Sequence, residues 1–408
     1  MTKLIGELLM IKLSVVAVGL IAITANIMAE ADLKIGGQGV IYYQTNDIGD
    51  SDFFNQESSS ANAGLELNLK ADIGNDFKLA YQETFLGTLG LEKNIVSDVR
   101  QYAHKDDLNA HSMTKIYATK KIDNTLIKLG RQELPKSLSP LAFSEGWNVF
   151  KNTFDAAVIV NKDIVDTTIV GAYVTGSNRH NNLSDFNDLG ANSSALGTGG
   201  GTLNSGAYML TVANKSIKDV PITGTYYALK DIANLESGHA LWLDVKANQA
   251  PVKVAFQAGQ IDPSNNLEKT TAFGAKVSGK VQKVALSLAY SSVDDGDVSL
   301  QNVGTGIKTP LYTQMIGNQN FISSDADTVV LKAVKKLPVG KIVVQYDMTF
   351  DNSTAKNDYT ELDIIYKFKA FDTNMLLAYI GQTTDKKTFA GGTEESVNNL
   401  RFWTRYNF

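Results

Sequence analysis

From residue 33 to the C-terminus, apolar and polar side chains alternate with a period of two, in segments bounded by turn residues. Leu65, Leu67, Leu69, Ala71 and Ile73 interleave with Glu66, Asn68, Lys70 and Asp72; Val284, Leu286, Leu288 and Tyr290 alternate with Lys283, Ala285 and Ser287; and Leu362, Ile364, Tyr366 and Phe368 alternate with Glu361, Asp363 and Lys367. The pattern predicts eighteen strands, near 33–44, 62–73, 77–86, 113–121, 125–132, 153–161, 165–175, 207–215, 222–229, 238–247, 252–259, 271–279, 281–291, 328–335, 341–350, 359–368, 373–381 and 396–408. Their connections alternate in length. Short ones such as Gly74-Asn75-Asp76 and Gly279-Lys280 are followed by long ones such as 176–206 and 292–327, as periplasmic turns and extracellular loops of an up-and-down barrel would be. A soluble sandwich of comparable size would need far fewer strands and would turn its apolar face inward. The expected fold is therefore all-β: a transmembrane antiparallel up-and-down barrel of 18 strands, with apolar residues toward lipid and polar ones toward a lumen.

The two chain ends agree with export to such a site. Leu13 to Ala25 is an apolar run too short for a spanning helix, which needs roughly 20 residues. Lys12 precedes it and Ala29-Glu30-Ala31 supplies small residues for cleavage. Residues 1–31 are read as a signal peptide, with Met10 as an alternative start, and 32–408 as one barrel domain. The chain finishes Leu400-Arg401-Phe402-Trp403-Thr404-Arg405-Tyr406-Asn407-Phe408. Phe402, Tyr406 and Phe408 share the lipid face, and the ending resembles the terminal signal read by the barrel-assembly machinery.

Composition mainly excludes functions. The chain has no cysteine, which removes disulfide frameworks, thiolate zinc sites and cysteine nucleophiles. A net charge of −5 argues against nucleic acid. The four histidines, His104, His111, His180 and His239, have no zinc spacing, and no nucleophile has a matched base, so no enzyme is expected. Gly36-Gly37-Gln38-Gly39 continues into a strand and is not a phosphate cradle. Asp294, Asp295 and Asp297 are candidate calcium ligands, but without the EF-hand spacing and its terminal glutamate; a solvated acidic loop is the competing reading, and no cofactor is expected. Divalent cations could also bridge such loops to lipopolysaccharide.

Leu129-Gly130-Arg131-Gln132-Glu133-Leu134-Pro135, continuing through Trp147 and Asn152-Thr153-Phe154-Asp155-Ala156, resembles the strand, third loop and returning strand of OprD-type outer-membrane porins. Thr309-Pro310-Leu311-Tyr312-Thr313 is similar to a loop motif of the same group and of the major outer-membrane porins of epsilon-proteobacteria. The resemblance implies a barrel frequently assembled as a homotrimer, with the third loop folded into the lumen. It also implies passage of ions and small solutes, some members preferring carboxylate-bearing or basic nutrients. Loop 133–152 is then the expected constriction, and its Leu138, Leu141, Phe143 and Trp147 would be poorly placed outside. Arg131, Glu133, Lys136, Glu145 and Lys151 are its candidate charges, able to set a transverse field across a narrow pore; scattered surface charges are the alternative. Lys253, Lys276, Lys283, Arg401 and Arg405 form a candidate basic ladder on the lumen wall, the alternative being local pairing with acids such as Glu361 or Asp363. The expected function is passive diffusion of ions and small hydrophilic solutes across the outer membrane of a Gram-negative bacterium, amid outer-membrane lipid and lipopolysaccharide. The competing function is a surface adhesin or structural protein acting through its long loops.

Overall fold

A computed structural model describes residues 32–190, 206–230, 237–264 and 266–408. The expected signal segment 1–31 lies outside them. The described chain forms β1 (Asp32–Asn46), β2 (Ser59–Asp72), β3 (Phe77–Gly87), β4 (Ala110–Ile122), β5 (Thr125–Gln132), β6 (Phe154–Asn161), β7 (Thr167–Asn178), β8 (Phe186–Asp188), β9 (Gly206–Asn214), β10 (Ile222–Lys230), β11 (Ser237–Ala247), β12 (Val252–Pro263), β13 (Thr270–Val281), β14 (Val284–Val293), β15 (Ala326–Lys336), β16 (Lys341–Asp351), β17 (Tyr359–Ala370), β18 (Thr373–Thr384) and β19 (Ser396–Asn407). All pairings between these strands are antiparallel, β7 pairs directly with β9, and β1 pairs with both β2 and β19. The result is a closed barrel of eighteen strands, with the three-residue β8 hydrogen-bonded only to β7. Each of the eighteen expected strands is present.

Closure depends on the two ends of the described chain. Gln38 lies opposite Asn407 and Asn46 opposite Asn399, and the amides of Gly37 and Phe408 each donate to the other's carbonyl, at 2.9 and 3.1 Å. A Cβ at Gly37 would fall 2.5 Å from the Phe408 ring and 2.3 Å from the Glu66 carbonyl. The glycine run thus makes room at the seam for the terminal aromatic ring. Tight hairpins join strands at the other end of several pairs: Phe371 and Asp372 both adopt positive φ, as a two-residue type I′ turn between twisted strands requires.

The outer face is apolar. Leu286, Leu288 and Ile364 are 42%, 43% and 40% exposed there, and Leu67 shares this face opposite Gly37, in register with exposed Ile35 and Ile41. Glu66, opposite Gln38 and the buried Thr84, and the fully buried Asp363 point inward. Lys283 does not join them. It stands in the turn with Gln282 before β14 begins at Val284, because the hairpin uses the two residues the sequence reading had assigned to the strand.

The buried apolar cluster sits inside the barrel, built from loops and wall together. Leu134, Leu141 and Ala142 of the third loop (133–153) meet Leu300, Val303, Leu311 and Ile322 of the seventh (294–325) against Tyr227, Trp242 and Ile261 of the wall. Burying one such leucine is worth about 1.5–3 kcal/mol, so both loops are held by their own apolar residues. Leu288→Arg would place a charge in the outer belt near the middle of β14 and should cost roughly 2–4 kcal/mol, whereas Ser287→Arg points inward and should cost far less. Denaturant unfolding of the refolded barrels in vesicles tests this, and equal losses would contradict the face assignment.

Candidate functional site

The lumen narrows where the third and seventh loops touch. Asn302 joins them: its Nδ2 donates to the Phe143 carbonyl at 2.7 Å and to Glu145 Oε1 at 2.8 Å, and its Oδ1 accepts from the Phe143 amide at 3.3 Å. Glu145, buried at 4% exposure, also accepts from Thr305 Oγ1 at 2.5 Å, the Lys308 amide at 3.1 Å and Trp147 Nε1 at 2.6 Å. A buried carboxylate is tolerated only when donors surround it. Glu145 is therefore the bolt between the loops rather than a charge presented to the pore.

The seventh loop is fastened to the wall in the same manner. Glu361 of β17 accepts from the Ile316 and Gly317 amides at 3.0 and 2.9 Å, Asp347 of β16 accepts from Asn318 Nδ2 at 2.7 Å, and Asp244 of β11 accepts from Tyr312 Oη at 2.7 Å. These wall acids serve as anchors for a loop whose sequence shows a family-like motif and an acidic cluster but no local sign of an inward course other than its apolar residues. Its signal was present: Leu300, Val303, Leu311 and Ile322 are as out of place on an external loop as Leu141 is on the third.

Three cations remain facing the gap. A cavity of about 180 Å³ is lined by Gln44, Arg100, Trp147, Lys308, Gln382 and Arg401, among others. The Arg100 guanidinium lies 5.2 Å and Lys308 Nζ 5.5 Å from the centre of the Trp147 ring, within cation–π range. Arg401 donates to Gln44 Oε1 at 3.0 and 3.1 Å, with no carboxylate within ion-pair distance among the described residues. Lys308 Nζ donates to the Met315 and Ile316 carbonyls and to Gln319 Oε1. Burial pulls its ammonium down to about 8, against Glu145 and Glu361, which act to raise it. His180, 5.3 Å from Trp147, is pushed down to about 4 by burial and by neighbouring Arg100, so at neutral pH it adds no charge.

The other candidates are dispersed. Glu133 pairs with Lys151 at 2.7 Å and with Lys115 of β4; burial acts to raise its carboxyl, but the two lysines outweigh this and hold it below the usual range. Lys136 donates to the Thr309 carbonyl at 2.8 Å. Arg131 is outside the lumen: it lies in register with exposed Ile116, pairs with Asp155 at 2.9 Å and stacks 3.2 Å from the Phe186 ring. The alternation explains this, because Arg131 shares its parity in β5 with Leu129. On the ladder, Lys253 and Lys276 face inward opposite Ser278 and the buried Ala289, and Arg405 donates to Gln38 Oε1 and the Asn148 carbonyl. Phe402, Tyr406 and Phe408 occupy the outer face of β19, with the Tyr406 and Phe408 rings stacked at 6.2 Å. Asp294 and Asp297 spend a carboxylate oxygen each on the Thr271 and Glu268 amides.

No family model matches the chain, and no curated protein matches it by sequence. Solved porins match its fold. OccK8 (OprE) of Pseudomonas aeruginosa is 15% identical with a TM-score of 0.73, covering 92% of this chain and 98% of its own. OpdK of the same organism, solved with vanillate, is 12% identical at 0.73, again covering 92% and 98%. Acinetobacter baumannii OccAB3 is 14% identical at 0.70, covering 93% and 100%. The chain has the fold of these porins across nearly its whole described length.

Removing the bolt should loosen both loops. Glu145→Ala leaves several buried donors unpaired, a loss of about 1–3 kcal/mol for each group left unsatisfied, so amide hydrogen exchange in 133–153 and 294–325 should speed up together while the wall strands keep their protection. Acceleration confined to the third loop would show that the two are independent.

Proposed function

We propose that this protein is an outer-membrane porin, a water-filled channel for passive diffusion of ions and small hydrophilic solutes, with a preference for anions at the gap between the third and seventh loops. The observation that carries the preference is the convergence of Arg100, Lys308 and Arg401 on one cavity, while the nearby acids Glu145, Glu361 and Asp347 are occupied by loop donors. Fixed charge in a low-dielectric constriction selects ions by sign. Trp147 offers an apolar face between two cations, which suits a carboxylate carried on a ring; OpdK, of the same fold, was solved with vanillate.

An outer-membrane location accounts for the apolar belt, and passive passage for the polar lumen. The competing adhesin reading draws no support from the third and seventh loops, which pack inside the barrel. Assembly as a homotrimer is supported by polar groups on the outer face near the long loops: the Arg131–Asp155 pair, and Glu83 with His111 at 2.6 Å. Lipid would solvate such groups badly; a neighbouring subunit would cover them. The same reading entails outer-membrane lipid and lipopolysaccharide around the belt and the barrel-assembly machinery acting on the terminal strand.

Single-channel recording in planar bilayers, with reversal potentials in a salt gradient, tests the reading: the chain should conduct and its reversal potential should have the sign of anion preference. Deleting residues 136–148 should raise conductance and weaken selectivity, since both the third loop and its bolt to the seventh are lost. Lys308 is charged below about 8 and neutral above, so anion preference should fall between pH 7 and pH 9.5. Lys308→Arg should abolish that step and keep the preference at the higher pH. A step that persists in Lys308→Arg would assign the titration elsewhere.

A further inference from the structure

The two halves of the lumen carry fixed charge of opposite sign. Toward the short turns the wall presents Lys70, Lys253, Lys276, Lys332, Lys341 and Lys367, each on an inward position: Lys341 shares its face with buried Val343, Lys367 with buried Ile365 and Lys332 with buried Val330. Among the described residues none of the six has a carboxylate within ion-pair distance. Lys276, Lys367 and Lys341 are close enough to Lys332 to act on its charge, as is the buried Asp363 of β17 in the opposite sense, so four lysines face one nearby wall acid that lies outside ion-pair distance of them. The carboxylates of the short turns, such as Asp123, Asp166 and Asp372, stand exposed in the hairpins beyond the wall.

The long-loop mouth is acidic. Loop 47–58 holds Asp47, Asp50, Asp52 and Glu57 and no lysine or arginine; loop 294–325 holds four aspartates and a single lysine, Lys308, which points into the gap. Asp325 is held above the usual carboxylate range by partial burial and by its neighbours Asp295 and Asp351, a measure of how closely the rim acids crowd.

We infer that the channel is an ionic rectifier, because a basic inner half and an acidic outer mouth meet in series at the gap closed by the third and seventh loops. Cations gather in the acidic zone and anions in the basic one. When the long-loop side is positive, cations move inward and anions outward, so both enter the junction and conductance rises. With the opposite sign both leave it and the junction is depleted. Screening sets the condition. At about 0.1 M salt the Debye length is about 10 Å and at 1 M it is about 3 Å, so the asymmetry should disappear in concentrated salt. No net transport follows at zero voltage, and the channel remains passive.

The inference rests on the reading of the barrel as an open channel, and one experiment separates the two. Single channels are recorded in symmetric KCl from about 0.1 M to 1 M. Orientation is read from a single Lys283→Cys in a chain that has no other cysteine, modified from one chamber by a bulky membrane-impermeant thiol reagent. At about 0.1 M the current at about 100 mV should be at least about twofold larger with the long-loop side positive, and the ratio should approach one at 1 M. The variant Lys276→Glu/Lys332→Glu/Lys341→Glu/Lys367→Glu should lose the ratio at low salt. The salt series on the unaltered chain decides the matter even if that variant does not assemble. Absence of conductance would overturn the porin reading itself. A conducting channel with equal currents of both signs at low salt, or with the larger current when the long-loop side is negative, would overturn the rectifier alone.

Discussion

A backbone amide that faces hydrocarbon without a partner costs several kcal/mol, and a chain that crosses lipid as strands must therefore close on itself. The pairing of β1 with β19 meets this demand, and the rest of the architecture follows from it. Closure fixes which face of every strand is outside. It forces eighteen polar faces into one interior and leaves the connections as the only segments free to move away from the wall. Even the seam shows the constraint locally, since Gly37 has lost its side chain where the Phe408 ring must lie.

A polar interior of this width does not fill itself, and the third and seventh loops bring an apolar core into it. The consequence for charge is direct. Wall acids near the loops, Glu361, Asp347 and Asp244, are consumed in holding loop amides and hydroxyls, and Glu145 is consumed in joining the two loops. What remains unpaired beside the gap is basic: Arg100, Lys308 and Arg401. The selectivity of the site therefore arises less from how many charges the lumen has than from which of them the loops have already used.

The fold was readable because a period of two is a strong signal when sustained over a long chain, and both strand number and facing followed from it. Errors came where one residue decides the outcome. Lys283 lies one residue outside β14, and Arg131, two residues from outward Leu129, belongs outside by the very alternation used elsewhere, although its charge beside the third loop suggests the constriction. Glu145 was rightly placed in the third loop, yet its burial depends on Asn302 and Thr305, some 160 positions away, which no local pattern connects. Arg100 and the inward course of the seventh loop were missed for the same reason. Only the apolar residues of 300–322 hinted at them.

Loop anchoring also explains why the two ends of the lumen differ in charge. The anchors lie on the long-loop side, because only those connections have the length to turn inward. The short turns, as brief as Gln282-Lys283 and Phe371-Asp372, cannot reach the interior. Wall lysines on that side consequently meet few loop groups: Lys276 lies 5.9 Å from the ring centre of Tyr312 of the seventh loop, and among the described residues Lys276, Lys332, Lys341 and Lys367 have no carboxylate within ion-pair distance. Mutual repulsion among them is tolerable where water and salt in the lumen screen it. The same cluster packed under a loop would have to give up its charge or acquire acids. Loop length, set by the up-and-down connectivity, thus determines where in the barrel unpaired charge of one sign can persist.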